Sequence, residues 1–339
     1  MNKSVTTSKS FSVVASNRTL TGYRKMETIT HHPLLIVTPE EMKKVRQFFN
    51  LDDVYRIRES LEAIEEWCKK QDHLVTAFQY LNRSMLERLL LLSRGSTEGT
   101  KTKIDKLFTM RAMMPEICLN KTIEEFEHFS DCILYVPLPN LCPSDQSRVT
   151  VTQPLAGKLD EFNVLSYIRY CFLIGEYRLS YDYCISERFI LDLQNINMNF
   201  LTKLNPIILK KGEIICTEAY GTKIKGIHII NAPSFVDKFV FVLKQGLKEK
   251  VASRLYVHNS YEDLHKEIPK QILPKEYGGD GPSCEKLADQ WKDCLKSKEA
   301  RRVIDECNKL VADESKRSEM KFNEEYLGMP GSFRKLTVD

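Results

Sequence analysis

Over the first third of the chain apolar residues recur every three or four positions; beyond it they fall in short runs between helical stretches. Thr38-Pro39-Glu40-Glu41 reads as a capping box with proline in the first turn, and it opens a helix carrying Met42, Val45, Phe48 and Phe49. A second helix follows Asp52-Asp53, with Val54, Ile57, Leu61, Ile64 and either Trp67 or Cys68 on one face. Residues 83–92 and 97–113 predict two more amphipathic helices, separated by Arg94-Gly95 and stopped before Pro115. Residues 26–120 are thus expected to be helical. From about residue 130 strand-like runs appear at 133–136, 149–152, 188–193, 226–230 and 253–257, and helical patterns over 162–179, 198–219 and 235–246 separate most of them. That alternation predicts βαβ units and a largely parallel sheet. After the turn from Glu276 to Pro282 a mixed-charge helix is expected to run to about residue 322. Its apolar stripe is Leu287, Trp291, Leu295, Val303, Cys307 and Leu310.

A length of 339 residues suits about two domains, and 42% apolar with 28% charged residues is the composition of a folded globular chain. The formal charge of +4 is unevenly placed. Residues 1–25 hold Lys3, Lys9, Arg18, Arg24 and Lys25 and no acid, while the remaining 314 carry 45 basic against 46 acidic residues. A balanced body is not a general polyanion binder, which argues against a nucleic-acid partner. The first 25 residues read as a disordered tail or a transit peptide, and Met26 offers an alternative start. Ten scattered cysteines without a CxxC point to reduced thiols in the cytosol or nucleus. The seven histidines lack metal-ligand spacing, and no apolar run is long enough to span a bilayer.

Catalytic patterns are scarce. Gly221-Thr-Lys-Ile-Lys-Gly226 has glycines at the spacing of a phosphate-binding loop, but Ile227-His228 follows where Lys-Ser/Thr is required. Ser318-Glu-Met-Lys321 falls on a charged helix, as a chance SxxK match. His228 sits in an apolar strand and reads as a structural histidine; Cys171, in the run 170–174, reads as core or pocket wall with no basic neighbour to activate it. Two other features stand out. Val236, Phe239, Val240, Leu243 and Leu247 recur at helical spacing, a face that either packs on the core or covers a cavity. Lys223, Lys225, Lys248, Lys250 and Arg254 bracket that helix, and taken alone are ordinary surface cations.

The run Lys225-Gly-Ile-His-Ile-Ile-Asn-Ala-Pro233, with Leu247-Lys-Glu-Lys250, Arg254-Leu-Tyr-Val-His258 and Ile272-Leu-Pro-Lys-Glu-Tyr-Gly-Gly279, resembles the CRAL-TRIO lipid-binding family. That family includes tocopherol-transfer, retinaldehyde-binding and clavesin-like proteins, and the chain resembles its insect-type branch. The likeness covers about residues 35–339, including Met85–Arg94 and a closing Gly331-Ser-Phe-Arg-Lys-Leu336. It implies an α/β protein: a helical N-terminal domain over 31–120 behind a tail at 1–30, a lipid-binding domain over 125–282 and a C-terminal helix and tail over 283–339. A mainly parallel five-stranded sheet would floor a pocket for one hydrophobic molecule. The helix after Asn-Ala-Pro would be a mobile gate, with Val236, Phe239, Val240, Leu243 and Leu247 on its inner face. Pocket positions carried over by alignment are Ile168, Cys171, Phe172, Gly175, Phe189 and Leu191. A basic cleft for phosphoinositide headgroups would comprise Arg94, Lys223, Lys225, Lys250 and Arg254, all five cationic here.

Three departures bear on the ligand. The serines that face tocopherol in the family fall on Cys171 and Gly175, the stretch Cys184-Ile-Ser-Glu-Arg188 lacks the glycine that usually starts the central strand, and Tyr220-Gly-Thr-Lys223 replaces an aromatic-Pro step. The resemblance implies a monomeric cytoplasmic carrier of an isoprenoid-like lipid, associating reversibly with phosphoinositide membranes, with no catalytic residues, metal or cofactor. The alternative is a phosphoinositide-binding trafficking adaptor that transfers no lipid.

Overall fold

The computed structural model describes residues 31–317. The basic tail with Met26, the SxxK match and the closing Gly331–Leu336 motif lie outside the described residues.

The N-terminal helices form where local capping dictates. Helix α1 (Pro39–Phe48) opens on the expected capping box: Thr38 Oγ1 accepts from the Glu41 amide at 3.2 Å, and Glu41 Oε2 accepts from the Thr38 amide at 2.8 Å. Helix α2 (Val54–Lys69) is capped by Asp53 and buries Ile57, Leu61, Ile64 and Cys68, leaving Trp67 at the margin. Helices α3 (Arg83–Leu92) and α4 (Thr97–Met113) are capped by Asn82 and Ser96. Between them Arg94 and Gly95 both take left-handed backbone, φ 57° and 72°. A Cβ at residue 95 would stand 2.7 Å from the Phe49 carbonyl oxygen, so glycine is needed there for conformation and for space.

The sheet has the order β1 (Ile133–Pro137), β2 (Ser147–Pro154), β3 (Ser186–Asp192), β4 (Ile224–Ile230), β5 (Leu255–Val257). The β1–β2 pair is antiparallel and the other three pairs are parallel. Helix α6 (Val164–Leu179) links β2 to β3, α7 (Pro206–Ile214) leads to β4, and α8 (Val236–Gly246) leads towards β5. Strand β2 is buried along nearly its whole length, as a strand covered on both faces must be. Register and the two-residue side-chain period put Thr152, Phe189, Leu191 and Ile227 on one face, with Arg188, His228 and Tyr256 on the other.

Several boundaries differ from the pattern reading. The helix expected over 198–219 breaks into a 3-10 turn (Met198–Lys203), α7 and a π-helical turn (Ile215–Ala219). Pro206 disfavours helical backbone at Asn205, whose side chain instead caps α7. The single C-terminal helix is two, α10 (Cys284–Lys296) and α11 (Lys298–Asn308), because Ser297 turns extended and caps the second. The turn lets Trp291 and Leu295 on one helix and Val303 and Cys307 on the other all be buried. Helices α5 (Ile123–Phe129) and α9 (Tyr261–Glu267) were not anticipated.

One continuous hydrophobic core runs from the N-terminal helices through the sheet to α11. At its centre Arg111 of α4 donates to the carbonyls of Leu310 at 2.6 Å and Cys307 at 2.5 Å, to Tyr220 Oη at 2.9 Å, and pairs with Glu176 of α6. Against the cost of burial, Arg111 and Lys121 hold the Glu176 carboxyl below the usual carboxylate range.

Candidate functional site: an apolar cavity beside a basic cleft

A cavity of about 320 Å³ lies between the inner face of the sheet and helices α6, α7 and α8. That volume falls within the range of small-molecule sites. Helical spacing puts Ile168, Cys171, Phe172 and Gly175 of α6 along one wall, and strand alternation puts Phe189 and Leu191 of β3 on the floor; all six line the cavity. A Cβ built on Gly175 would meet nothing within 4 Å, so the absent side chain leaves open space. From α8, Phe239 and Leu243 face the cavity and Leu247 just beyond it does too. Val236 and Val240 stand beside the lining, partly buried against the core. The helix is narrow in its apolar coverage, for Phe241 on its outer side is 64% exposed. Gly246 seats the end of α8 on α7: a Cβ there would come within 2.6 Å of Leu209 Cβ.

The Cys171 thiol is pushed well up by burial, which leaves it protonated and unreactive. His228 is not a lining residue. It lies on the opposite face of the sheet, stacked with Tyr256, with Nδ1 2.9 Å from His258 Nε2 and Nε2 3.3 Å from Arg188 Nη1. Burial lowers it to about 3, so it is neutral at physiological pH. Among the described residues there is no group of three or more His, Cys, Asp and Glu placed to hold a metal ion, and no helix is long and apolar enough to cross a membrane.

Charged residues that the pattern reading did not single out also line the cavity: Arg88, Arg178, Asp182, Glu187 and Glu213. Arg148 and Arg178 clamp Asp182 with bonds of 2.6–3.0 Å and, against burial, hold its carboxyl well below the usual range. Arg178 Nη2 also donates to Glu187 Oε1 at 2.7 Å, yet burial pushes the Glu187 carboxyl up. The signal for these groups is faint. Glu187 and Arg188 open an otherwise apolar strand, and Glu213 closes the polar stretch Lys210-Lys211-Gly212-Glu213 within α7.

Of the five expected cleft cations, Lys223, Lys225 and Arg254 stand at the start of β4. Lys223 is exposed, its Nζ 5.5 Å from the Phe48 ring centroid. Arg94, also exposed, follows the end of α3, next to Gly95, which packs on Phe49 and Leu51. The Arg254 guanidinium donates to the Ile224 carbonyl, and exposed Lys250 lies on the turn before it. Lys225 pairs with Asp145, which also receives Arg188 at 2.9 Å. Against burial, the bonds from Lys225, Ser147 and Arg188 keep Asp145 ionised. Lys248 is likewise occupied, by Glu218. Arg94, Lys223, Lys250 and Arg254 therefore carry positive charge that no acidic side chain among the described residues neutralises at ion-pair distance.

Comparison with known proteins places this geometry. The CRAL/TRIO domain profile matches residues 132–279. The mouse alpha-tocopherol transfer protein-like protein is 24% identical, over 77% of this chain and 79% of its own length. Rat clavesin-1 is 29% identical over 47% of this chain and 42% of its own, so that alignment spans less than half of the relative. The crystal structure of Sfh5 is similar at a TM-score of 0.45 and 15% identity, covering 75% of this chain and 93% of that one. The matched residues hold the whole sheet, the cavity floor and α8, and over this stretch the chain matches the CRAL/TRIO domain.

Proposed function

We propose that this protein carries one small hydrophobic molecule, an isoprenoid-like lipid, in the cavity between sheet and α8. The observation that carries the reading is the apolar cavity itself, with open space at Gly175 where most side chains would fill it. The relatives named for tocopherol transfer support it. The holding force is burial: a ligand hiding ~400 Å² of apolar surface gains ~10 kcal/mol, so release into water is slow. Exchange then needs a membrane. The basic cleft docks on phosphoinositide headgroups, and docking favours the conformer with α8 lifted. Four uncompensated cations at about 1 kcal/mol each supply about 4 kcal/mol of attraction to an anionic surface. In this scheme residues 31–120 buttress the lipid-binding unit at 125–282 and supply Arg94 to the cleft, and the protein acts as a cytoplasmic monomer that visits membranes.

The test is transfer of a fluorescent isoprenoid from donor to acceptor vesicles with and without phosphatidylinositol bisphosphate in the acceptor. The carrier reading expects protein-dependent transfer that the phosphoinositide accelerates. Binding to such vesicles without any transfer would instead support an adaptor.

A further inference from the structure

The cavity has one pole that is not apolar, and on the carrier reading above that pole selects the chemistry of the ligand's head. Glu187 enters it from the start of β3 and Glu213 from the last turn of α7. In each carboxylate one oxygen is occupied. Glu187 Oε1 accepts from Arg178 Nη2 at 2.7 Å and from the Cys184 thiol at 3.5 Å, and Glu213 Oε1 accepts from Thr217 Oγ1 at 3.0 Å. In each the second oxygen, Oε2, is buried with no hydrogen-bond donor. Lys210 Nζ forms an ion pair with Glu213 Oε2 at 3.7 Å, beyond hydrogen-bond distance, so the oxygen still lacks a donor. The two groups share a neighbourhood: burial, with Glu187 and Glu213 adding, pushes the Cys216 thiol up to about 12.

A buried acceptor without a donor is destabilising, and two of them at one end of one cavity want the same thing. The two arginines of the lining are already committed. Arg178 serves both Asp182 and Glu187, while Arg88 donates to the Asp182 carbonyl and lies 3.9 Å over the Tyr183 ring. We propose that the pole receives a hydroxyl of the bound lipid, which donates to the free oxygen of Glu187 or Glu213, and that the cargo is therefore an alcohol and not a carboxylic acid. A carboxylate head would bring a further negative charge beside two carboxylates, and the remaining cation of the lining, Lys223, is exposed with its Nζ 5.5 Å from the Phe48 ring centroid.

The experiment uses the full chain and matched pairs of ligands that differ only at the head: retinol with retinoic acid, farnesol with farnesoic acid, hexadecanol with palmitic acid. Equilibrium binding should favour the alcohol at least about tenfold in every pair that binds, the scale of one charge-assisted hydrogen bond. Glu187→Gln and Glu213→Gln are then tested singly, with thermal melting confirming that each is folded. In at least one of them the preference should fall to within about threefold, because an amide offers a donor to the acid. Equal affinities, a preference for the acid, or a preference that survives both substitutions overturns the inference and leaves the carrier reading standing. Failure of every pair to bind overturns the carrier reading, and this inference with it.

Discussion

Gly175 gives the cavity its test at the level of a single residue. A glycine inside a helix is destabilising by roughly 0.5–1 kcal/mol relative to alanine, and here the missing side chain faces open space. Gly175→Ala should therefore raise the melting temperature, by up to about 1 kcal/mol of stability. Gly175→Leu should fold and lose most lipid binding, because its side chain takes the ligand's place. A folded Gly175→Leu variant that binds lipid as tightly as the wild type contradicts the site. Two histidines set the acid limit of stability. Burial lowers His228 to about 3 and His32 to about 4, against an ordinary 6.5. Between those values and 6.5 the unfolded chain binds more protons than the folded one, so stability is complete above pH 6.5 and falls as the pH drops. Melting temperatures between pH 7 and 5 should decline, with a loss on the order of 1 kcal/mol per imidazole by pH 5. His228→Gln should flatten part of that decline.

At the scale of elements, the roles proposed for α8 and for the basic cleft can be tested separately. The end of α8 is held on α7 by the close approach at Gly246. Gly246→Val would push Leu209 away, and the expected result is a folded protein that releases lipid several times faster, measured by ligand dissociation into excess vesicles. An unchanged release rate in the folded variant would show that α8 does not gate the cavity. The cleft is tested by changing Lys223, Lys250 and Arg254 together to alanine. Three cations at about 1 kcal/mol each predict vesicle binding weaker by on the order of a hundredfold, with lipid retention in solution unchanged. Liposome flotation reads the first and gel filtration with bound ligand the second. Unaltered flotation sinks the cleft assignment.

Across the whole molecule, what could be read from the chain depended on whether the cause was local. Helices α3 and α4 follow the pattern because Asn82, Ser96 and Gly95 fix their ends within a few residues. The parallel sheet was legible from alternating strand and helix periods, whereas the proposed cleft rests on motif resemblance, since Arg94 lies far along the chain from Lys223 and Arg254. The break at Ser297 was not legible: the helical pattern continues across it, and only burial of both helices' apolar faces decides it. The break before α7 had its cue in Pro206, which periodicity overrode. Least legible were Glu187 and Glu213, because a charged residue at a strand start or beside two lysines is ordinarily read as surface. Their burial follows from β3 and α7 facing the same cavity, which is a property of the fold.

The central claim is that the cavity holds one lipid, and the most direct measurement is mass spectrometry of the lipids extracted from protein expressed in its own cells. The account predicts a single class of hydrophobic molecule, in roughly equimolar amount to the protein. A protein recovered with its cavity empty of lipid, or with traces of many unrelated classes, would contradict it.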